Sequence, residues 1–140
     1  MRRGLTLIEL IFVIIVIGIL AGLAVPKFFE VSKEAFISKA QSKVSAIRAG
    51  LQTYKTKHIL QGQSPYPATL DSNSSSLFDQ VLPTATTPGT KPGEWERESN
   101  TTYKFHLNGN EVIIFDYDKT KGTFSCNKNR TTTSSLCNNF

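Results

Sequence analysis

A long apolar run near the N-terminus constrains this chain more than any other feature. From Leu10 to Val25 no side chain is charged or strongly polar. Carried back to Leu5, the stretch is about 21 residues, or roughly 31 Å as a helix, enough to cross the hydrocarbon core of a bilayer. Three readings fit: a cleaved secretory signal, an uncleaved anchor, and an anchor trimmed at its extreme N-terminus before it assembles with copies of itself. A secretory cut can be drawn at Gly22-Leu23-Ala24 with Arg2 and Arg3 as the charged region, but Glu9 would then interrupt the apolar core of the signal. Arg2 and Arg3 are compatible with every reading, because basic residues hold the N-terminus in the cytoplasm and send the rest of the chain across the membrane.

Glu9 separates the readings. An acid at the centre of a spanning helix costs about 2.5–3.5 kcal/mol, and less near an end. It therefore needs a partner, and the apolar run contains none. A cut between Gly4 and Leu5 would free an α-amino group that is cationic near neutral pH. That amine would lie about one helical turn from Glu9 in its own chain. The amine of an axially shifted neighbouring helix would serve equally well, and that geometry couples charge neutralisation to assembly.

The segment Gly4-Leu5-Thr6-Leu7-Ile8-Glu9, followed by the apolar run and then Pro26, resembles the N-terminus of type IV pilins and of the pseudopilins of type II secretion and DNA-uptake systems. The resemblance is specific through about Glu30, and the general layout continues to the C-terminus. It implies that a membrane prepilin peptidase cuts after Gly4 and N-methylates Leu5. It also implies that Glu9 is the assembly residue, neutralising the N-terminus of an adjacent subunit in a filament. Leu5 departs from the family, which usually has phenylalanine there. The implied partners are further copies of the chain or other pilin-like subunits in a mixed filament, the inner-membrane assembly platform and membrane lipid, with no cofactor. The implied location is the bacterial inner membrane, single-pass, with a cytoplasmic N-terminus and a periplasmic C-terminal domain, and then a periplasmic or extracellular filament.

Of the 140 residues, 39% are hydrophobic, and the span uses many of them. About 115 residues are left for one small domain with a modest core, expected to depend on a long helix, a small sheet and a covalent staple. The basic pI does not describe that domain: residues 27–60 carry seven bases against Glu30 and Glu34, whereas residues 61–140 carry seven bases against eight acids. Phe36, Ala40, Val44, Ile47, Leu51 and Tyr54 recur at steps of three and four, which predicts one helix continuing from the span to about Leu60 with an apolar stripe facing the domain. Lys27, Lys33, Lys39 and Lys43 form either a solvated helix face or a phosphate-contacting stripe that would help a filament hold DNA. Gly18, Gly22 and Pro26 interrupt the upper apolar half; Pro26 removes the hydrogen bond to the Gly22 carbonyl, so a kink or local melting is expected between Gly18 and Pro26.

Gly62, Pro65 and Pro67 end the helix, and residues 61–93 read as a connecting loop region of Ser, Thr, Pro and Gly. Within it Leu77–Leu82 is expected as one short helix capped by Ser75 or Ser76. Thr102–Leu107 alternates, with Tyr103, Phe105 and Leu107 on one face, and Glu111–Tyr117 is a second strand, joined to the first through Asn108-Gly109 as a type I′ turn. Thr123–Cys126 makes a third strand after a turn at Lys119–Gly122, and Trp95 either adds a fourth or plugs the core. The fold class expected is α+β, with a long N-terminal helix, half spanning and half amphipathic, packed on an antiparallel sheet of three to four strands in a pilin-like layout. The expected division is a leader at 1–4, a transmembrane and polymerisation helix at 5–26, the amphipathic half at 27–60, the loop region at 61–93, and the sheet with a C-terminal disulfide loop at 94–140.

Cys126 and Cys137 are the only cysteines. An oxidising compartment and a short polar loop favour a disulfide over free or metal-bound thiols, since no ligand cluster accompanies them. A C-terminal disulfide loop is similar to that of many type IV pilins, and typical type II secretion major pseudopilins lack it, which favours a pilus or DNA-uptake subunit. Lys128 and Arg130 give the loop a mild positive character. Asp116 and Asp118, with Gly122, form a weak calcium candidate whose spacing departs from an EF-hand; a strand-end turn is the alternative. His58 and His106 stand alone in sequence, and no catalytic constellation can be assembled around either. The reading is therefore a structural filament subunit and not an enzyme. The alternative is a minor pilin acting as a binding module for DNA or another surface ligand.

Overall fold

This computed structural model describes the backbone of residues 6–140 and the side chains of residues 6–22 and 32–140. Gly4 and Leu5, and the side chains of Pro26 and Lys27, lie outside the described residues. The elements are α1 (Leu7–Leu60), β1 (Trp95–Arg97), β2 (Thr102–His106), β3 (Val112–Asp118), β4 (Thr123–Cys126) and a 3-10 helix, Ser134–Asn139. The chain divides into a first compact unit ending at Ala35 and a second, Phe36–Phe140.

In the first unit, α1 is helical without interruption through Gly18–Pro26, so of the kink or local melting expected there the melting does not occur. Its large apolar side chains from Leu7 to Leu20 are all exposed. Among the described residues no helix is long and apolar enough to cross a membrane; the span read at 5–26 is not recovered, and Leu5 and the side chains of residues 23–26 fall outside what is described.

The second unit is α+β. On α1, Ala40, Val44, Ile47 and Leu51 are buried at 1% exposure or less, with Phe36 and Ile37 packed beside them. All but Ile37 belong to the predicted stripe, whose last member, Tyr54, lies outside this buried set, and they face a four-stranded antiparallel meander in the order β1-β2-β3-β4. The inner face of the sheet supplies Trp95, Tyr103, Phe105, Ile113, Phe115, Tyr117 and Phe124. Burying each such side chain contributes about 1.5–3 kcal/mol, so the helix and the sheet stabilise each other. Trp95 both begins β1, the strand added to the three expected, and lies in the core, 1% exposed, with ring centroids of Phe78, Phe105, Phe115 and Phe124 at 5.0–6.3 Å.

α1 ends in a Schellman motif. Gln63 N–H donates to the His58 carbonyl and Gly62 N–H to the Ile59 carbonyl, with Gly62 at φ +68°. Two local expectations fail. Residues 77–82 form no helix: Leu77 pairs with Thr86 through both backbone groups, and Phe78 takes φ +64° to turn its ring into the core. The β2–β3 connection is not a type I′ turn, which needs positive φ at both central residues; neither Asn108 nor Gly109 has one. Instead the loop spans Asn108–Asn110, and the Asn108 side-chain oxygen accepts from the backbone N–H groups of Asn110 and Glu111.

Candidate functional site

The N-terminal start of α1 is built from two polar side chains. Thr6 Oγ1 accepts from Glu9 N–H at 3.3 Å, while Glu9 Oε2 accepts from Thr6 N–H and from Thr6 Oγ1–H, both at 3.1 Å. This reciprocal pair is a capping box, in which the residue just before the helix and the third helical position satisfy each other's orphan donors. The apolar pattern does not point to Thr6, although the Thr-x-x-Glu spacing is itself the signal. Glu9 is the only charged residue between Leu7 and Gly22, so this carboxylate is met by neutral donors within the described first unit. An added Cβ at Gly18 or Gly22 meets nothing within 4 Å.

Of the basic row on α1, Lys39 is engaged within the second unit. Lys39 Nζ donates to the Gly93 carbonyl at 2.6 Å and ties α1 to the end of the connecting region. Arg48 Nε donates to the Phe124 carbonyl at 3.0 Å. Arg130 grips Glu98 with one amino group at 2.8 and 2.9 Å from its two oxygens, and Lys104 Nζ reaches the same carboxylate at 3.1 Å. The bond from Lys104, then that from Arg130, holds the Glu98 carboxyl below the usual range.

Asp116 and Asp118 are committed within the fold. Asp116 accepts from Thr102 Oγ1–H and from the Asn127 side chain. Asp118 Oδ1 accepts from Thr120 Oγ1–H and from the N–H groups of Thr120 and Lys121, and these bonds hold its carboxyl below the ordinary value. That is a strand-end turn, closed by Gly122 N–H to the Asp118 carbonyl. Among the described residues no three His, Cys, Asp or Glu side chains are grouped so as to hold a metal. His58 Nδ1 donates to the Tyr54 carbonyl and its ring stacks on Tyr54, whereas His106 Nε2 lies 3.0 Å from Glu96; among the described residues no nucleophile is bonded to either. A surface cleft of 360 Å³ is lined by Gly50, Tyr54, Lys57, His58, Gln80 and Val81.

The connecting region holds a polar centre that periodicity could not reveal. Asp71 Oδ1 accepts from Phe78 N–H at 2.7 Å and Oδ2 from Tyr103 O–H at 2.8 Å. Arg97 Nε lies 3.2 Å from Oδ2, close enough for charge pairing, although its N–H does not aim at the oxygen. Burial raises the Asp71 carboxyl above its ordinary value against the pull of these donors, and burial together with Asp71 raises the Tyr103 phenol. The two cysteines form a disulfide, Cys126–Cys137, with Cα atoms 5.5 Å apart.

Among curated proteins the chain is similar to a fimbrial protein of Pseudomonas aeruginosa, 32% identical over 82 residues that make up 56% of this chain and 53% of that protein. It is 35% identical over 92 residues to the type IV major alpha-pilin of Moraxella bovis, with 65% of this chain and 53% of that protein covered. It is 35% identical over 68 residues to the type II secretion system core protein G of Pseudomonas aeruginosa, with 49% and 44% covered. The chain thus spans about half the length of the curated relatives it matches. No family model and no solved structure matches it. The relatives are named as a fimbrial protein, a type IV pilin and a secretion core protein, in keeping with the family resemblance, and none of them is named as an enzyme.

Proposed function

We propose that this chain is a structural subunit of a type IV pilus or pseudopilus, held in the inner membrane by residues 5–26 and polymerised through α1. The observation that carries the reading is the exposed apolar surface of α1 from Leu7 to Leu20, interrupted by the single carboxylate of Glu9. An isolated helix gains nothing from that surface in water, whereas lipid or the helices of other copies would cover it. The similarity to fimbrial proteins and to a type II secretion core protein supports the same reading.

In the proposed sequence a prepilin peptidase cuts after Gly4 and methylates Leu5. The capping box with Thr6 keeps Glu9 satisfied by neutral donors before assembly, and the Leu5 amine of a neighbouring copy then supplies the opposite charge. Exchange of neutral partners for a cation in a low-dielectric setting favours the assembled state. Gly18, Gly22 and Pro26 are proposed as the place where α1 adapts to filament packing, the two glycines leaving room that another helix can fill.

The test combines mass spectrometry with assembly. The mature chain is expected to begin at N-methyl-Leu5, and a chain beginning at Val25 would establish secretory cleavage instead. Glu9→Leu is expected to insert in the membrane yet leave filaments undetectable by electron microscopy; filaments at the normal level in that variant would reject the neutralisation step.

A further inference from the structure

The strands leave part of β3 uncovered. β4 pairs with β3 only from Phe115 to Asp118, so the outward backbone groups of Val112 and Ile114 have no strand beside them. An open row of this kind is a template for another chain's strand. Here it is filled by the loop between the two cysteines. Val112 N–H donates to Thr132 Oγ1 at 3.1 Å, and Thr132 N–H returns to the Val112 carbonyl at 3.2 Å. Ile114 N–H donates to Thr131 Oγ1 at 3.0 Å, and Asn127 N–H to the Ile114 carbonyl at 2.7 Å. Two threonine hydroxyls and two backbone amides thus continue the ladder where β4 stops.

The disulfide is in direct contact with this cover. Thr131 is buried, and its Oγ1 lies 3.6 Å from both Cys126 Sγ and Cys137 Sγ. A disulfide sulfur carries no proton, so the hydroxyl points its own hydrogen at the sulfurs and keeps its lone pairs for Ile114 N–H. Farther along, Phe140 stacks edge-on against Phe115 with centroids 5.0 Å apart, and the Gln41 side chain holds the Asn139 carbonyl at 3.1 Å. The loop is therefore pinned at both ends, and the crosslink sets the position of the hydroxyl that covers Ile114.

We propose that the Cys126–Cys137 crosslink is a redox-sensitive guard of the β3 edge: with the bond intact the loop covers Val112 and Ile114, and with the bond reduced that edge opens. Reduction by a dithiol moves two electrons and two protons. The S–S bond breaks, each cysteine is released as a thiol, and the dithiol closes to its own disulfide. The inference does not depend on filament assembly, since every contact lies within one copy.

The experiment is amide hydrogen exchange by NMR on the full chain in detergent micelles, before and after treatment with dithiothreitol. Ile113 and Phe115 face β2 in the ladder alternation and serve as internal references. On reduction, Val112 and Ile114 are expected to exchange faster by roughly ten- to a hundred-fold beyond any acceleration of the two references. Equal acceleration of all four, or of none, overturns the proposal. Thr131→Val, with the disulfide intact, is expected to accelerate Ile114 selectively, and Thr131→Ser to restore it. Unchanged Ile114 exchange in Thr131→Val overturns the coupling between crosslink and edge.

Discussion

Asp71 lies in the connecting region, yet its buried carboxylate joins three parts of the second unit: the Phe78 turn, β1 through Arg97 and β2 through Tyr103. Asp71→Ala leaves an N–H and a phenol without their acceptor and the Arg97 guanidinium without its counter-charge, and a loss of about 3–5 kcal/mol is expected in denaturant unfolding of the full chain in micelles. Its pH dependence has a definite sign. The folded carboxyl titrates above its ordinary value of about 3.9, so the native state holds more protons than the unfolded one between those two values. The contribution of Asp71 is greatest below the unfolded value and declines as pH rises through the folded one. The stability difference between the native chain and Asp71→Asn is therefore expected to shrink as pH is raised from 4 through that window. A difference that grows with pH would contradict the dominance of burial. Glu98 runs the other way, its lowered carboxyl favouring the fold above the usual glutamate range, so the comparison must be made against Asp71→Asn and not from the native profile alone.

At the scale of elements, α1 was legible because a stripe at steps of three and four survives whatever packs against it. Phe36 to Tyr54 repeats at helical spacing, and the four central members are buried to within 1%. The strands were legible for the same reason at a period of two: Tyr103, Phe105 and Leu107 point inward, as their alternation required. The connecting region was not. Leu77–Leu82 looks like a helical turn until the core asks for the Phe78 ring, and the backbone then adopts φ +64° with its N–H held by Asp71. Where the connection crosses the helix, a Cβ on Gly50 would overlap the Val81 carbonyl. Gly50→Ala adds up to about 1 kcal/mol of helix propensity but forces the Val81 segment outward. A net loss of about 1–3 kcal/mol is expected in thermal unfolding; a gain would mean that the segment moves aside freely. At Gly62, φ +68° closes the helix, and Gly62→Ala is expected to cost about 1 kcal/mol by the same measurement.

For the molecule as a whole, a short core is supplemented by a crosslink and by covered sheet edges. Gly89 N–H donates to the Trp95 carbonyl on the outer side of β1, Arg48 covers Phe124 on β4, and the cysteine loop completes β3. Reduction of Cys126–Cys137 is expected to lower the stability of the second unit by about 2–3 kcal/mol for a loop of this length, and an unchanged melting temperature would refute the staple. The sequence by itself determined what depends on periodicity and on local chemistry: the apolar N-terminal run, the helical stripe, the alternating strands, the end of α1 at its glycine, and the Thr-x-x-Glu spacing that caps its start. Each of these is dictated by neighbours a few residues away. The tertiary structure alone decided the partners of Asp71, the left-handed Phe78, the engagement of Lys39 and Arg130, and the cover of Ile114 by Thr131. These pair groups far apart in the chain, and which buried donor meets which acceptor is fixed only once the core has brought them within bonding distance and excluded water.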